Sequence, residues 1–326
     1  MPKFRAPNSA SLHAARFLLD SNWFFLARGR RATFELNPRW SHMEPLALAM
    51  GAAWGAWCRR QGYEVKVENL GPRARYAARM RLFDHLGVPF VPGVQEHEEA
   101  GRFLPVTQVN DTLSLRSVMA DISALLHLQD DSETLAAVQY CISELLRNVL
   151  EHAASPDGAF VCAHNFAGKA LHRVSLAVVD SGCGIREQLS RTHSEAAGND
   201  AAALHLALRP GVTGAVPGMY GTPDNAGAGL FITRCMAKGS GGYFLVASGQ
   251  AGYRLRRAND PQQQEILLED PLAERHDSWR FRHPWQGTIV ALEIRTDHIG
   301  DFDEYFAWIR QRTPRQAVAS QRVRFT

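Results

Sequence analysis

The sequence predicts an α/β protein with two cores, and three observations carry that expectation. Its 326 residues are long for one core and sufficient for two. Runs that are apolar at helical spacing follow runs that alternate like strands, with Gly and Pro at the joints. Between the halves, Pro92–Gly101 holds three glutamates, a histidine and two glycines, which is the composition of a linker. The expected boundaries are residues 1–100 for a small α/β unit, 101–296 for a larger one and 297–326 for a C-terminal helix and basic tail.

In the first unit, Ser11–Leu19 reads as a short helix and Arg31–Leu36 as a strand. Leu46–Arg60 is apolar at helical spacing, Tyr63–Glu68 alternates, and Ala74–Leu86 is again helical, with Met80, Leu82 and Phe83 toward a core. Strand and helix in alternation imply a sheet covered by helices. In the second unit Phe103–Val109 is a first strand and Leu113–Leu128 a helix. The acidic Asp130-Asp131-Ser132-Glu133 then opens another helix at its positive end.

Composition excludes several function classes. A formal net charge of +3 is too mild to argue for a nucleic-acid partner by itself. The five cysteines are scattered without a CxxC pair, so neither a disulfide framework nor a zinc site is expected, and a reducing, cytoplasmic setting fits best. The N-terminus has no basic-then-apolar signal pattern and the apolar runs are short, so no membrane association is expected.

The stretch Tyr140–Arg186 holds the chemistry. On a helix, Glu144 and Asn148 stand four apart on one face with Cys141, Glu151 and His152, while Val138, Ile142, Leu145, Leu146, Val149, Leu150 and Ala153 cover the other side. Phe160–Asn165 and Val174–Val179 read as strands, the second running into Asp180-Ser181-Gly182-Cys183-Gly184, where a carboxylate leaves a strand and two glycines release the backbone. Further on, Gly227-Ala228-Gly229 opens a helix over Leu230–Lys238, offering free backbone N–H groups to an anion.

Three short motifs occur in one order and spacing: ELLRN at 144–148, DSGCG at 180–184 and NAGAGLFITR at 225–234. In this they resemble the GHKL, or Bergerat-fold, ATPases, the superfamily of sensor histidine kinases, anti-sigma kinases, gyrase B, the Hsp90 chaperones and MutL. Gly287-Thr288 before Ile289–Ile294 resembles the fourth element, and the likeness covers about Phe103–Ile294, more than half of the chain. It implies a two-layer α/β sandwich with helices on a mixed sheet, ATP and Mg²⁺ as ligands, and homodimers as one arrangement. The first unit more weakly resembles the STAS-like domains of bacterial regulators, in which a serine at a helix start is phosphorylated; Ser41 lies near that place and equally suits an N-cap.

The resemblance implies roles that the residue types support. An amide oxygen ligates a hard cation without adding repulsion to a triphosphate, so Asn148 is the expected Mg²⁺ ligand. Asp180 would accept from the adenine amine, Gly182, Gly184 and Ile185 would line the base, and Thr288 would complete its contacts. Gly227, Ala228, Gly229 and Leu230 would hold phosphates. Glu144 would orient or deprotonate water in a hydrolytic enzyme, or serve a protein acceptor in a kinase. His152 is more simply a packing residue.

Residues 186–226 correspond to the ATP lid of the family. Their last part, with the glycines at 211, 214, 218 and 221, is loop-like, and Thr213 and Tyr220 are candidates to touch phosphate. Gly241–Gly249 reads as a strand ending in a turn, with Tyr253–Arg257 returning antiparallel. Ala258–Gln286 is a polar insertion in which Trp279, Phe281 and Trp285 interleave with Arg280 and Arg282, a pattern that suits nucleic acid or protein, or more simply a solvated hairpin. Asp301–Arg312 is an amphipathic helix. The expected function is an ATP-binding regulator, with slow Mg²⁺-dependent hydrolysis as a switch, serine/threonine phosphorylation of a STAS-like partner, or ATP sensing without turnover as its three forms.

Overall fold

The computed structural model describes residues 2–6, 30–37, 44–71, 74–90, 101–126, 133–168, 171–212, 229–257 and 268–295. Ser11–Leu19, Ser41, most of the 92–101 linker, Thr213, Tyr220, Gly227, Ala228 and the 301–312 helix therefore lie outside the described residues. The first unit holds β1 (Lys3–Arg5), β2 (Arg31–Glu35) and β3 (Glu64–Glu68) in a parallel sheet of order β1-β2-β3. Its helices are α1 (Pro45–Arg60), α2 (Ala74–Arg79) and α3 (Leu82–Leu86).

The expected single helix over Ala74–Leu86 is two helices. Arg81 adopts a left-handed φ of 57° and breaks it, and the freed Met80 carbonyl accepts the N–H of Val106 from the next sheet. In α1, Pro45 through Cys58 are all buried, which matches a sequence that is apolar on every face. Trp54 packs on Phe4 and Phe34 of the three-stranded sheet, while the opposite side of α1 lies on the larger sheet described next. A Cβ on Gly51 would stand 2.9 Å from the Phe34 ring, so the small residue sets how closely helix and sheet approach.

The second unit is built on β4 (Phe103–Val109), β5 (Ala159–Gly168), β6 (Leu171–Asp180), β7 (Tyr243–Leu255) and β8 (His276–Arg295), in the order β4-β5-β6-β8-β7. Every neighbouring pair is antiparallel, so the sheet is not mixed as expected. The cause is topological. Two helices, α4 (Thr112–Leu126) and α5 (Glu133–Arg147), join β4 to β5, and an even number of helical passes reverses the next strand. Strands β6 and β7 do run the same way, and β8 lies between them.

Helices α4, α5 and α8 (Gly229–Gly239) cover one face, where Val118, Ile142, Leu146 and Phe231 meet Val161, Leu176, Val246 and Leu292. The other face carries Val106, Phe160, Cys162, Val179, Leu245 and Ile289 in one hydrophobic cluster with α1. The buried residues thus form two clusters, one on each face of this sheet, and the first unit's main helix belongs to the second. Between β6 and α8 the chain forms α6 (Ile185–Leu189), a 3-10 turn (Ser194–Ala197) and α7 (Asp200–Ala207), the last packed on β7.

Two local expectations are corrected near the edge of this sheet. Tyr243–Leu255 is one bulged strand, because Gly249, with φ 58°, bends it without reversing it, and Asp200 caps the exposed N–H of Gln250 at 2.8 Å. The strand that returns antiparallel is β8, which starts at His276 and takes in residues 276–286 of the expected insertion. Its Phe281 and Trp285 are buried against the first unit, so they are not free to stack on bases. No helix among the described residues is long and apolar enough to cross a membrane.

Candidate functional site

A cavity of about 110 Å³ opens between the helical layer, the end of β6 and the Thr288–Val290 part of β8. Its wall includes Glu144, Asn148, Asp180, Gly184, Ile185, Gly229, Leu230 and Thr288. Of the described candidate residues, only Gly182 lies outside the wall. The apolar part comes from Leu145, Val149, Val178, Leu189, Val212 and Val290, and the polar remainder from Arg147, Glu151, His152 and Gln188.

Glu144 and Asn148 come from α5 and the turn that ends it. Asn148–His152 is a π-helical turn, with the Ala153 N–H reaching back to the Asn148 carbonyl at 3.0 Å. A simple α-helical periodicity does not anticipate it, and such single π-turns gather at functional sites. The turn leaves the Ala153 carbonyl to accept the Cys183 N–H at 2.7 Å, which ties the helix end to the DSGCG loop. A Cβ on Gly229 would stand 3.1 Å from the Glu144 Cβ and 3.5 Å from the Asn148 Nδ2. Glycine there lets the start of α8 approach the two polar side chains of α5.

Asp180 ends β6 and is 2% exposed. Its Oδ1 accepts the Gly182 N–H at 2.7 Å, and the Thr288 N–H also favours its charged form. Burial outweighs both and pushes its pKa up to about 7. The bulge of β8 brings Gly287 over this carboxyl with φ 94°, and a Cβ there would stand 2.4 Å from the Asp180 carbonyl and 2.5 Å from Oδ1. Burial also raises the Glu144 pKa, with Arg147 lowering and Glu151 raising it further.

Four supporting residues were not among the expected site residues. Ser248 Oγ accepts the Ile185 N–H and donates to the Gly287 carbonyl, both at 2.9 Å, so one hydroxyl joins the two loops that flank Asp180. Trp285 Nε1 donates to the Asp180 carbonyl at 3.1 Å, and Gln286 Nε2 to the Gly182 carbonyl at 2.6 Å. Gln188 follows Ile185 by three residues on α6, a spacing that was available as a signal. A serine beside a strand-end glycine offers none, because it reads equally as a turn residue.

Among the described residues no cluster of three His, Cys, Asp or Glu forms a metal cage. Comparison with protein-family models, with curated proteins and with solved structures finds no match to this chain.

Proposed function

We propose that the chain is an ATP-binding regulatory protein of the GHKL kind, and that it hydrolyses ATP slowly in the presence of Mg²⁺, using closure of the segment after Asp180 as its switch. The observation that carries the reading is Asp180, a buried carboxyl in the wall of a partly apolar cavity, with a pKa raised to about 7 and backbone N–H groups as its lowering influences. Burial disfavours the charged form of such a group, and an ionisable side chain perturbed in this way in a cavity wall is a candidate binding group. A purine amine is a suitable user, because it donates a hydrogen bond to an acceptor flanked by apolar surface. A helical layer over one face of a five-stranded sheet also supports the family reading, and the all-antiparallel order is the departure from it.

The residues fit the implied ligands. Mg²⁺ taken up with a nucleotide would need few protein ligands, so the Asn148 amide oxygen would hold it without a cage of carboxylates. The ion would neutralise charge on the phosphates. Glu144 beside it, with its pKa raised by burial, is suited to take a proton from an attacking water at its carboxylate oxygen. The N-terminus of α8, where Gly229 and Leu230 face the cavity, supplies N–H groups to phosphate. On the same reading the first unit is STAS-like and a regulatory protein partner, itself STAS-like in the kinase case, receives the signal.

The test is incubation with Mg²⁺ and γ-labelled ATP beside Glu144→Ala and Asn148→Ala, following free phosphate and labelled protein together. Phosphate release that both variants lose is the expected result. Labelled protein without free phosphate would favour the protein kinase, and binding without turnover a sensing module. Absence of ATP binding would sink the reading.

A further inference from the structure

The loop that presents Asp180 is held from several directions, and one of them is the first unit. Arg60, the last residue of α1, donates from Nε to Asp157 Oδ2 at 3.1 Å and from a terminal N–H to Ser181 Oγ at 3.4 Å. Ser181 Oγ in turn donates to the same Asp157 oxygen at 3.3 Å. Ser181 directly follows Asp180 and is 2% exposed, and Asp157 belongs to the tight turn that joins the π-turn region to β5. That turn is itself fixed, since Gln108 Nε2 donates to the Asp157 carbonyl at 2.8 Å. The three side chains therefore close a triangle between α1, the β5 turn and the DSGCG loop.

We infer that Arg60 is a positioning residue for this loop, through which the seating of the first unit sets ligand affinity in the cavity. The inference rests on the nucleotide reading above and adds its regulation. Three observations support it. A guanidinium reaches two acceptors in one plane, so it fixes the angle between Asp157 and Ser181 where a point charge fixes a distance alone. α1 lies on β5 and β6, so any shift of the helix across the sheet moves Arg60 relative to the end of β6. Trp285, in the same hydrophobic cluster as α1, donates to the Asp180 carbonyl, so the packing and the polar link act on adjacent residues. Coupling of this kind is reciprocal: a ligand that orders the loop also favours the seated first unit.

The experiment uses the full chain and two readouts. One is the dissociation constant for adenosine and for ATP in wild type, Arg60→Ala, Arg60→Lys, Ser181→Ala and the Arg60→Ala/Ser181→Ala double variant. The other is hydrogen exchange at the Gly182 amide without ligand. Arg60→Ala is expected to weaken both ligands equally, by about fivefold to tenfold, and to speed Gly182 exchange. Arg60→Lys should fall between it and wild type, and Ser181→Ala should add nothing on top of Arg60→Ala. Wild-type affinity and exchange in Arg60→Ala, or additive losses in the double variant, would overturn the inference. A wild type that binds neither ligand while Arg60→Ala still speeds Gly182 exchange would sink the nucleotide reading and leave the positioning role standing.

Discussion

The two ends of β6 bury charge in opposite ways. Near its start, Arg173 pairs with Glu293 of β8, lies 3.7 Å from Glu44 at the head of α1, and covers the Phe166 ring at 4.4 Å. At its other end Asp180 is more deeply buried than Arg173 and is held by backbone N–H groups, with no ion-pair partner among the described residues. The first arrangement sets its carboxylates against a guanidinium inside the protein and joins the first unit to the sheet. The second leaves a carboxyl in the cavity wall, where the proposed ligand would meet it. Buried charge marks a site only where the protein has not already answered it.

The largest expected effect tests the closed end. Arg173→Ala strands two buried carboxylates and is expected to lower stability by roughly 3 kcal/mol, read as a shift in denaturation midpoint, with adenosine affinity unchanged in the protein that folds. Equal loss of affinity would mean that the two ends of β6 are not independent. Gly287→Ala comes next. It forces a Cβ against Asp180 at a left-handed φ, and about 2 kcal/mol of stability together with most adenosine binding should be lost; a variant as stable and as tight as wild type would contradict the packing described.

Asp180→Asn should separate function from stability. Its raised pKa means that stability from this group is fully present below the unfolded value of 3.8 and is lost as pH rises through about 7. The variant removes that loss, so above pH 7 it should be more stable than wild type by about 1–2 kcal/mol, while adenosine binding falls strongly. In wild type, binding favours the carboxylate, so adenosine affinity should rise with pH through about 7 and flatten above it. Adenosine does not titrate near neutrality, and a flat profile would exclude Asp180 as the acceptor. The smallest effect is that of Ser248→Ala, which leaves the Ile185 N–H without its hydroxyl partner and should cost about 1 kcal/mol with a matching loss of affinity.

Much of the site was legible because its signals are local. Glu144 and Asn148 are one helical turn apart, Asp180 is a carboxylate at the end of an apolar strand, and Gly229 opens a helix. α1 was legible for the same reason, as an unbroken apolar helix. What was not legible depends on residues distant in the chain. Strand direction in the five-stranded sheet follows from the number of helical passes, which no local pattern states. The beginning of β8 was hidden by Pro284, which argues against a strand, yet that part of β8 pairs with β7 alone and has a free side for a residue that cannot donate. The π-turn at Asn148–His152, the Ser248 bridge and the Arg60 triangle are tertiary choices among conformations that the same residues permit elsewhere.

Asp180 is proposed as the acceptor that selects a ligand, and the most direct measurement of that role is calorimetric titration of wild type and Asp180→Asn with ATP at pH 8. The expected result is saturable binding by wild type and a loss of at least tenfold in the variant, with the variant unfolding at a higher temperature than the ligand-free wild type. Equal ATP affinity in the two proteins, or no binding to wild type, would contradict it.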